Sequence, residues 1–175
     1  MKALIVSAGL FEDSELLKPY SRLQEEGCQV DIAAPERGRI YGKHGYAVDA
    51  NKALREVNPD DYAILVLPGG KAPEQIRREP AALAIAQAFF RAGKPVAAIC
   101  HGPLILLSAG LLQGRHATCY HKVAEQLRRA GAHYEDREVV VDGNLVTARQ
   151  PADLPAFLRE MVKLLKERDA PHPAY

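Results

Sequence analysis

The chain has 175 residues, 47% hydrophobic and 26% charged, the composition of one globular domain large enough to bury a real core. Lys plus Arg at 23 against Asp plus Glu at 22 leaves a net charge of +1, which offers no field to draw in nucleic acid or an anionic membrane surface. Three cysteines, Cys28, Cys100 and Cys119, are too few and of the wrong parity for a disulfide framework, and no run approaches the ~18 apolar residues of a membrane span. The opening M-K-A-L-I-V-S-A-G-L has no small-residue cleavage pattern and reads as a first strand. A cytoplasmic protein with no nucleic-acid or membrane partner is expected.

In chain order, Ala3–Val6 is a short aliphatic run of the kind buried in a parallel sheet, ended by Ser7, Ala8 and Gly9. From Phe11 to Glu26, Leu16, Leu17, Tyr20 and Leu23 recur at helical spacing, acids crowd the first turn, Pro19 falls inside and Gly27 supplies the stop. Cys28–Ala34 reads as a second strand, Ile40–Val48 as a small antiparallel excursion around Gly42 and Gly45, and Asn58-Pro59-Asp60-Asp61 as a turn. Tyr62–Leu67 is the clearest buried strand, and it ends in Pro68-Gly69-Gly70. Glu79–Ala92 is an alanine-rich helix closed by Gly93. Val96–Ile99 then runs as a strand straight into Cys100, His101, Gly102 and Pro103, and the helix Pro103–Ala109 that follows is apolar enough to be packed on all sides. Ala117–Cys119 is a short strand, Lys122–Ala130 a helix capped by Gly131, and Val139–Asp142 with Leu145–Ala148 a hairpin around Asp142-Gly143. Ala152–Arg168 is the last helix, and the tail 169–175, with two prolines, should be loosely held. There is no internal repeat and no linker, so residues 1–175 read as one domain.

Strands alternating with helices imply a three-layer α/β sandwich with a mostly parallel, flavodoxin-like sheet. Function gathers beyond the C-terminal strand ends of such sheets. Four stretches converge there: Gly9 to Glu12, Pro68 to Gly70, Cys100 to Gly102, and Thr118 to His121.

The segment around Cys100 reads as strand, sharp turn, helix. Pro103 suits the first helical position, and the positive end of the helix beside Cys100 favours thiolate over thiol. A-I-C-H-G is close to the G-x-S-x-G nucleophile elbow, with Ala98 and Gly102 as the small flanking residues and His101 as a proton shuttle. Most cysteines outside disulfides are simply small core hydrophobes, and only the position at the turn argues otherwise. Glu12 by itself is a first-turn acid complementing a helix dipole. From its loop it can also face Cys100, where a protonated carboxyl would donate to the thiolate. Gly69 and Gly70 are an ordinary turn or, if the chain approaches closely, a source of backbone donors, so that Gly70 N–H with His101 N–H forms an oxyanion hole.

Cys28 reads as core, and Cys119 lies near the site without an obvious base. His44, His116, His121, His133 and His172 lack metal-ligand spacing, so neither a metal nor a cofactor is expected. Arg77–Arg78 and Arg128–Arg129 read as solvated helix faces.

The segments F-E-D-S-E-L at 11–16, E-R-G-R-I-Y-G-K-H-G-Y at 36–46, L-P-G-G-K-A-P-E at 67–74, A-I-C-H-G-P at 98–103, V-V-V-D-G-N at 139–144 and R-Q-P-A-D-L at 149–154 cover nearly the whole length. They resemble the PfpI-type intracellular protease family, in the superfamily of the parkinsonism-associated deglycase, with its class I glutamine-amidotransferase-like fold. The resemblance implies Cys100 as nucleophile with His101 beside it, the Glu12 carboxyl hydrogen-bonded to the sulfur, and Tyr120 lining the pocket. It also implies a homo-oligomer, dimer or hexamer, in which Glu74 lies near a neighbouring subunit's site. Proteolysis, glutathione-independent glyoxalase activity and removal of early methylglyoxal adducts all occur in this family. A pocket at a tight turn favours a cysteine-dependent enzyme for small α-oxoaldehydes or their adducts over an oligomer-built peptidase, with a non-enzymatic oxidative-stress sensor or holdase as a further alternative.

Overall fold

This computed structural model describes residues 1–169; beyond Asp169 the tail expected to be loosely held lies outside the described residues. The short aliphatic runs become β1 (Lys2–Val6), β2 (Gln29–Ala34) and, past the exposed hairpin β3 (Gly38–Tyr41) and β4 (Ala47–Ala50), the two-residue edge β5 (Lys52–Ala53) and the fully buried β6 (Ile64–Leu67). The amphipathic α1 (Asp13–Glu25) lies between β1 and β2. After β6 come α2 (Ala72–Ile76), α3 (Pro80–Arg91), β7 (Val96–Ile99) and α4 (Pro103–Ser108). The chain continues through β8 (His116–Ala117), α5 (Ala124–Arg129), β9 (His133–Tyr134), the hairpin β10 (Val139–Asp142) and β11 (Leu145–Ala148), and α6 (Leu154–Asp169).

Seven strands form one sheet in the order β10-β11-β7-β6-β1-β2-β5, parallel throughout except for β10. The five principal parallel strands follow the doubly-wound, flavodoxin-like order. Its switch point lies between β1 and β6, where crossovers leave to opposite sides and open a crevice at the strands' C-terminal ends. Helices α1 and α6 pack together against one face of the sheet, while α3 lies on β6 and β7 and packs against α4. Leu4, Ile5, Leu65 and Ile99 are at most 1% exposed, and burial of each such side chain contributes about 1.5–3 kcal/mol.

Two buried acids tie distant segments together. Asp31 accepts from the Tyr62 hydroxyl at 2.6 Å and from the Asn51 amide at 2.8 Å, with Lys2 Nζ at 3.5 Å. Asp13, at the start of α1, accepts from His44 N–H at 3.0 Å and Tyr46 N–H at 3.1 Å and so pins the β3–β4 loop. Gly42 has no room for a side chain, since a Cβ there would run into the Asp13 carboxylate.

The expected strands, long helices and small antiparallel excursion are present. Three short elements were not foreseen: β5, β9 and α2. The hairpin of β10 and β11 turns on Gly143 and Asn144, with Gly143 at φ 58°, rather than on Asp142-Gly143. Arg77 is not a solvated residue either: its Nε donates to Ser108 Oγ at 2.8 Å, joining α2 to α4.

Candidate active site

The elbow is built by β7 and α4. Cys100 has φ 65°, a left-handed conformation costly for a side chain with a Cβ, on the order of 1–3 kcal/mol, and the surrounding sheet holds it there. Cys100 N–H donates to Ala148 O at 3.0 Å, and Gly102 N–H to Ile99 O at 2.8 Å. Gly102 is required because a Cβ there would strike the Leu67 carbonyl. Cys100 is 8% exposed, facing the crevice.

The carboxyl group that meets the thiol is Glu15, not Glu12. Glu15, Pro19 and Leu23 fall at i, i+4 and i+8 on the buried stripe of α1, so the acid points inward with the apolar residues. Its Oε1 accepts from Gly69 N–H at 2.9 Å, while Oε2, also buried, has no hydrogen-bond partner among the described residues. A Cβ on Gly69 would stand 2.5 Å from Glu15 Oε1 and 2.6 Å from Cys100 Cβ, so glycine is what lets acid and cysteine approach. Burial, opposed by the Gly69 N–H, raises the Glu15 carboxyl to about 8. Glu12 instead sits at the pocket mouth, accepting from Lys43 Nζ at 3.1 Å and lying 3.2 Å from His44 Nε2.

Burial first, then the Glu15 charge, push the Cys100 thiol up to about 12, although the backbone N–H groups of Gly70 and His101 face the sulfur and draw it back. Desolvation thus works against the thiolate that the helix N-terminus was expected to favour. The donors expected to form the oxyanion hole converge on the sulfur itself.

His101 lies beside the sulfur. Its Nδ1 lies 3.3 Å from Cys100 Sγ, and its ring packs against Tyr120 with centroids 5.0 Å apart. Burial lowers the His101 pKa, with Glu74 acting in the opposite sense, so the imidazole is neutral near pH 7 and Nδ1 can accept the thiol proton.

A cavity of about 480 Å³ opens over the sulfur. Of the residues expected at the site, Cys100, His101, Glu12, Gly70, Glu74 and Tyr120 line it, and Gly69 lies behind it. Glu74, on α2, thus belongs to the pocket of its own chain as well as being the acid expected near a neighbour's site. Lys43, Lys71, Lys122, Val123, Gln150 and Pro151 complete the lining and were not foreseen. Glu15 had a signal in the sequence, its phase with Pro19 and Leu23, whereas the lysines stand in loops without any periodicity. No group of three or more His, Cys, Asp or Glu side chains able to hold a metal occurs among the described residues, and none of the described helices is long and apolar enough to cross a membrane.

A cysteine at a strained strand-to-helix corner, at the C-terminal edge of a flavodoxin-like sheet beside its switch point, with a buried acid on one side and an imidazole on the other, defines a cysteine-elbow α/β enzyme. Residues 1–164 match the DJ-1/PfpI family, and the chain belongs to it. The deglycase PfpI of Pyrococcus furiosus is 55% identical over 166 residues, covering 95% of this chain and 100% of that protein. Protein/nucleic acid deglycase 2 of Escherichia coli is 40% identical over 167 residues, covering 94% and 97%. The crystal structure of Drosophila melanogaster DJ-1beta superposes with a TM-score of 0.86 at 25% identity, covering 95% of this chain and 94% of that one. Like these deglycases, the chain is an enzyme.

Proposed function

We propose that this enzyme is a cysteine-dependent deglycase acting on small α-oxoaldehydes and on the early adducts they form with amino groups and thiols. The observation that carries this reading is the Cys100 thiol 3.3 Å from the neutral His101 ring, under a pocket of small-molecule size. When an adduct binds, its hemiaminal or hemithioacetal first collapses to the aldehyde and expels the free amine or thiol; as the aldehyde carbon meets the sulfur, Nδ1 of His101 takes the thiol proton, Sγ bonds to the carbon and the C=O electron pair becomes an alkoxide. Gly70 N–H and His101 N–H, now relieved of the thiolate, and the protonated Glu15 carboxyl are the donors within reach of that charge. Moving the carbon-bound proton to the neighbouring carbonyl carbon through an enediol leaves a 2-hydroxyacyl thioester, and water releases the hydroxy acid and regenerates the thiol. The two carbons exchange oxidation level, so no external oxidant is needed.

Cys100→Ala should reduce methylglyoxal consumption at least ~10³-fold, and unchanged turnover would overturn the mechanism. The single-chain cavity favours a small substrate over an extended peptide. The reading includes work in the reducing cytoplasm and assembly as a homo-oligomer with Glu74 at the subunit contact, for which sedimentation of wild type against Glu74→Ala is the check.

A further inference from the structure

The cations and anions lining the Cys100 pocket do not cancel. Glu12 is engaged by Lys43 and His44, Glu74 lies 3.4 Å from Arg77, and Glu15 is protonated near neutral pH. Two further lysines, Lys71 and Lys122, both exposed, line the same cavity, and neither has a carboxylate within ion-pair distance among the described residues. They come from different loops: Lys71 follows Gly70, whose N–H faces the sulfur, and Lys122 lies two residues past Tyr120, in the 3-10 turn His121–Val123. The Tyr120 hydroxyl and the Gln150 side-chain amide also line the cavity and make no hydrogen bond among the described residues. Two unpaired ammonium groups with a hydroxyl and an amide form the donor set that a carboxylate requires.

We propose that Lys71 and Lys122, assisted by Tyr120 and Gln150, form an anion subsite beside Cys100, so that preferred substrates carry a carboxylate on the amine or thiol side of the reacting carbon. The class is the oxoaldehyde adduct of a free amino acid or thiol acid. This rests on the deglycase reading for its substrate, but the subsite itself is independent of turnover. A neutral substrate leaves both ammonium groups hydrated at no cost and still reacts. An anionic one gains their attraction, and they offset the rise in the Cys100 pKa that a nearby carboxylate would cause.

Alkylation of Cys100 reads the subsite directly, because iodoacetate and iodoacetamide form the same Sγ–C bond, expel the same iodide and differ in charge. Peptide mapping assigns the modification in the native full-length chain. The iodoacetate-to-iodoacetamide rate ratio should fall about 5- to 20-fold in K71Q/K122Q, and in wild type it should fall as salt rises from about 0.02 to 0.5 M. K71R/K122R, which keeps both charges, should retain the wild-type ratio, and each single Lys→Gln change should give a partial loss if the double variant folds poorly. An equal ratio in wild type and in the Lys→Gln variants would overturn the subsite while leaving the deglycase reading intact. Absence of turnover with the ratio still lysine-dependent would overturn the deglycase reading alone.

Discussion

Asp31 and Glu15 are both buried, at 2% and 0% exposure, yet they have opposite surroundings. Burial alone would raise Asp31, but Tyr62, Asn51 and Lys2 together outweigh it and hold its carboxyl below the ordinary aspartate value. Burial raises Glu15 in the same way, opposed chiefly by the Gly69 N–H and less by the Lys43 charge, and one oxygen is left without a hydrogen-bond partner among the described residues. The number of donors, not the depth of burial, separates a structural carboxylate from a reactive acid. The underdressed one is the one that faces the nucleophile.

The strongest way to break this contrast is Glu15→Gln, which keeps an acceptor for Gly69 N–H and removes the titrating proton. Its kcat/KM should drop by about 10²-fold, and the pH-rate limb near 8 should vanish. The folded-state value is raised, so the native chain binds a proton that the unfolded chain has lost. Stability is fully present below the ordinary glutamate value and declines as pH rises through about 8. Unfolding free energies from urea titrations should therefore fall between pH 5 and 8.5 in wild type, by an upper bound on the order of 5 kcal/mol, and stay nearly level in the variant.

Asp31→Ala should do the reverse. It strands the Tyr62 hydroxyl and the Asn51 amide at a cost of about 2–4 kcal/mol, while the folded fraction retains activity within about twofold. Because the folded Asp31 value is depressed, its contribution exists above the ordinary aspartate value and is lost as pH falls through the lower one. The difference between wild type and variant should shrink below about pH 4. Glu12→Gln is the smallest change. It loosens a partly exposed contact with Lys43 worth about 0.5 kcal/mol and should lower activity by less than about tenfold. A larger loss than that of Glu15→Gln would return the acid's role to Glu12.

Much of this was legible in the sequence. The run Val96–Ile99 into C-H-G-P identified the elbow, because few other folds end a buried strand on a thiol followed by Gly and Pro. The parallel sheet followed from short aliphatic runs alternating with helices. F-E-D-S-E-L holds three acids, with the glutamates Glu12 and Glu15 three apart, and a loop-edge position favoured Glu12. Only the helical phase, set by burial against the sheet, turns Glu15 inward. Helix α2 has five residues and β5 and β9 two each, too short for a period to register, so the placement of Glu74 and Lys71 had to come from the fold. The desolvation acting on the thiol was hidden for a different reason: a local helix end is visible in sequence, and the depth at which the sulfur sits is not.

The grip of Asp13 on the loop between β3 and β4 gives the pocket an exchangeable side. The grip falls on the main-chain amides of His44 and Tyr46, so it is indifferent to which side chains the loop carries, provided Gly42 stays bare. Residues 43 and 44, which meet Glu12 at the mouth, can thus be replaced without unfastening the loop. One wall, from Glu15 to Cys100, keeps the chemistry constant. The other is a detachable faceplate, where selectivity can be redesigned without touching the sulfur.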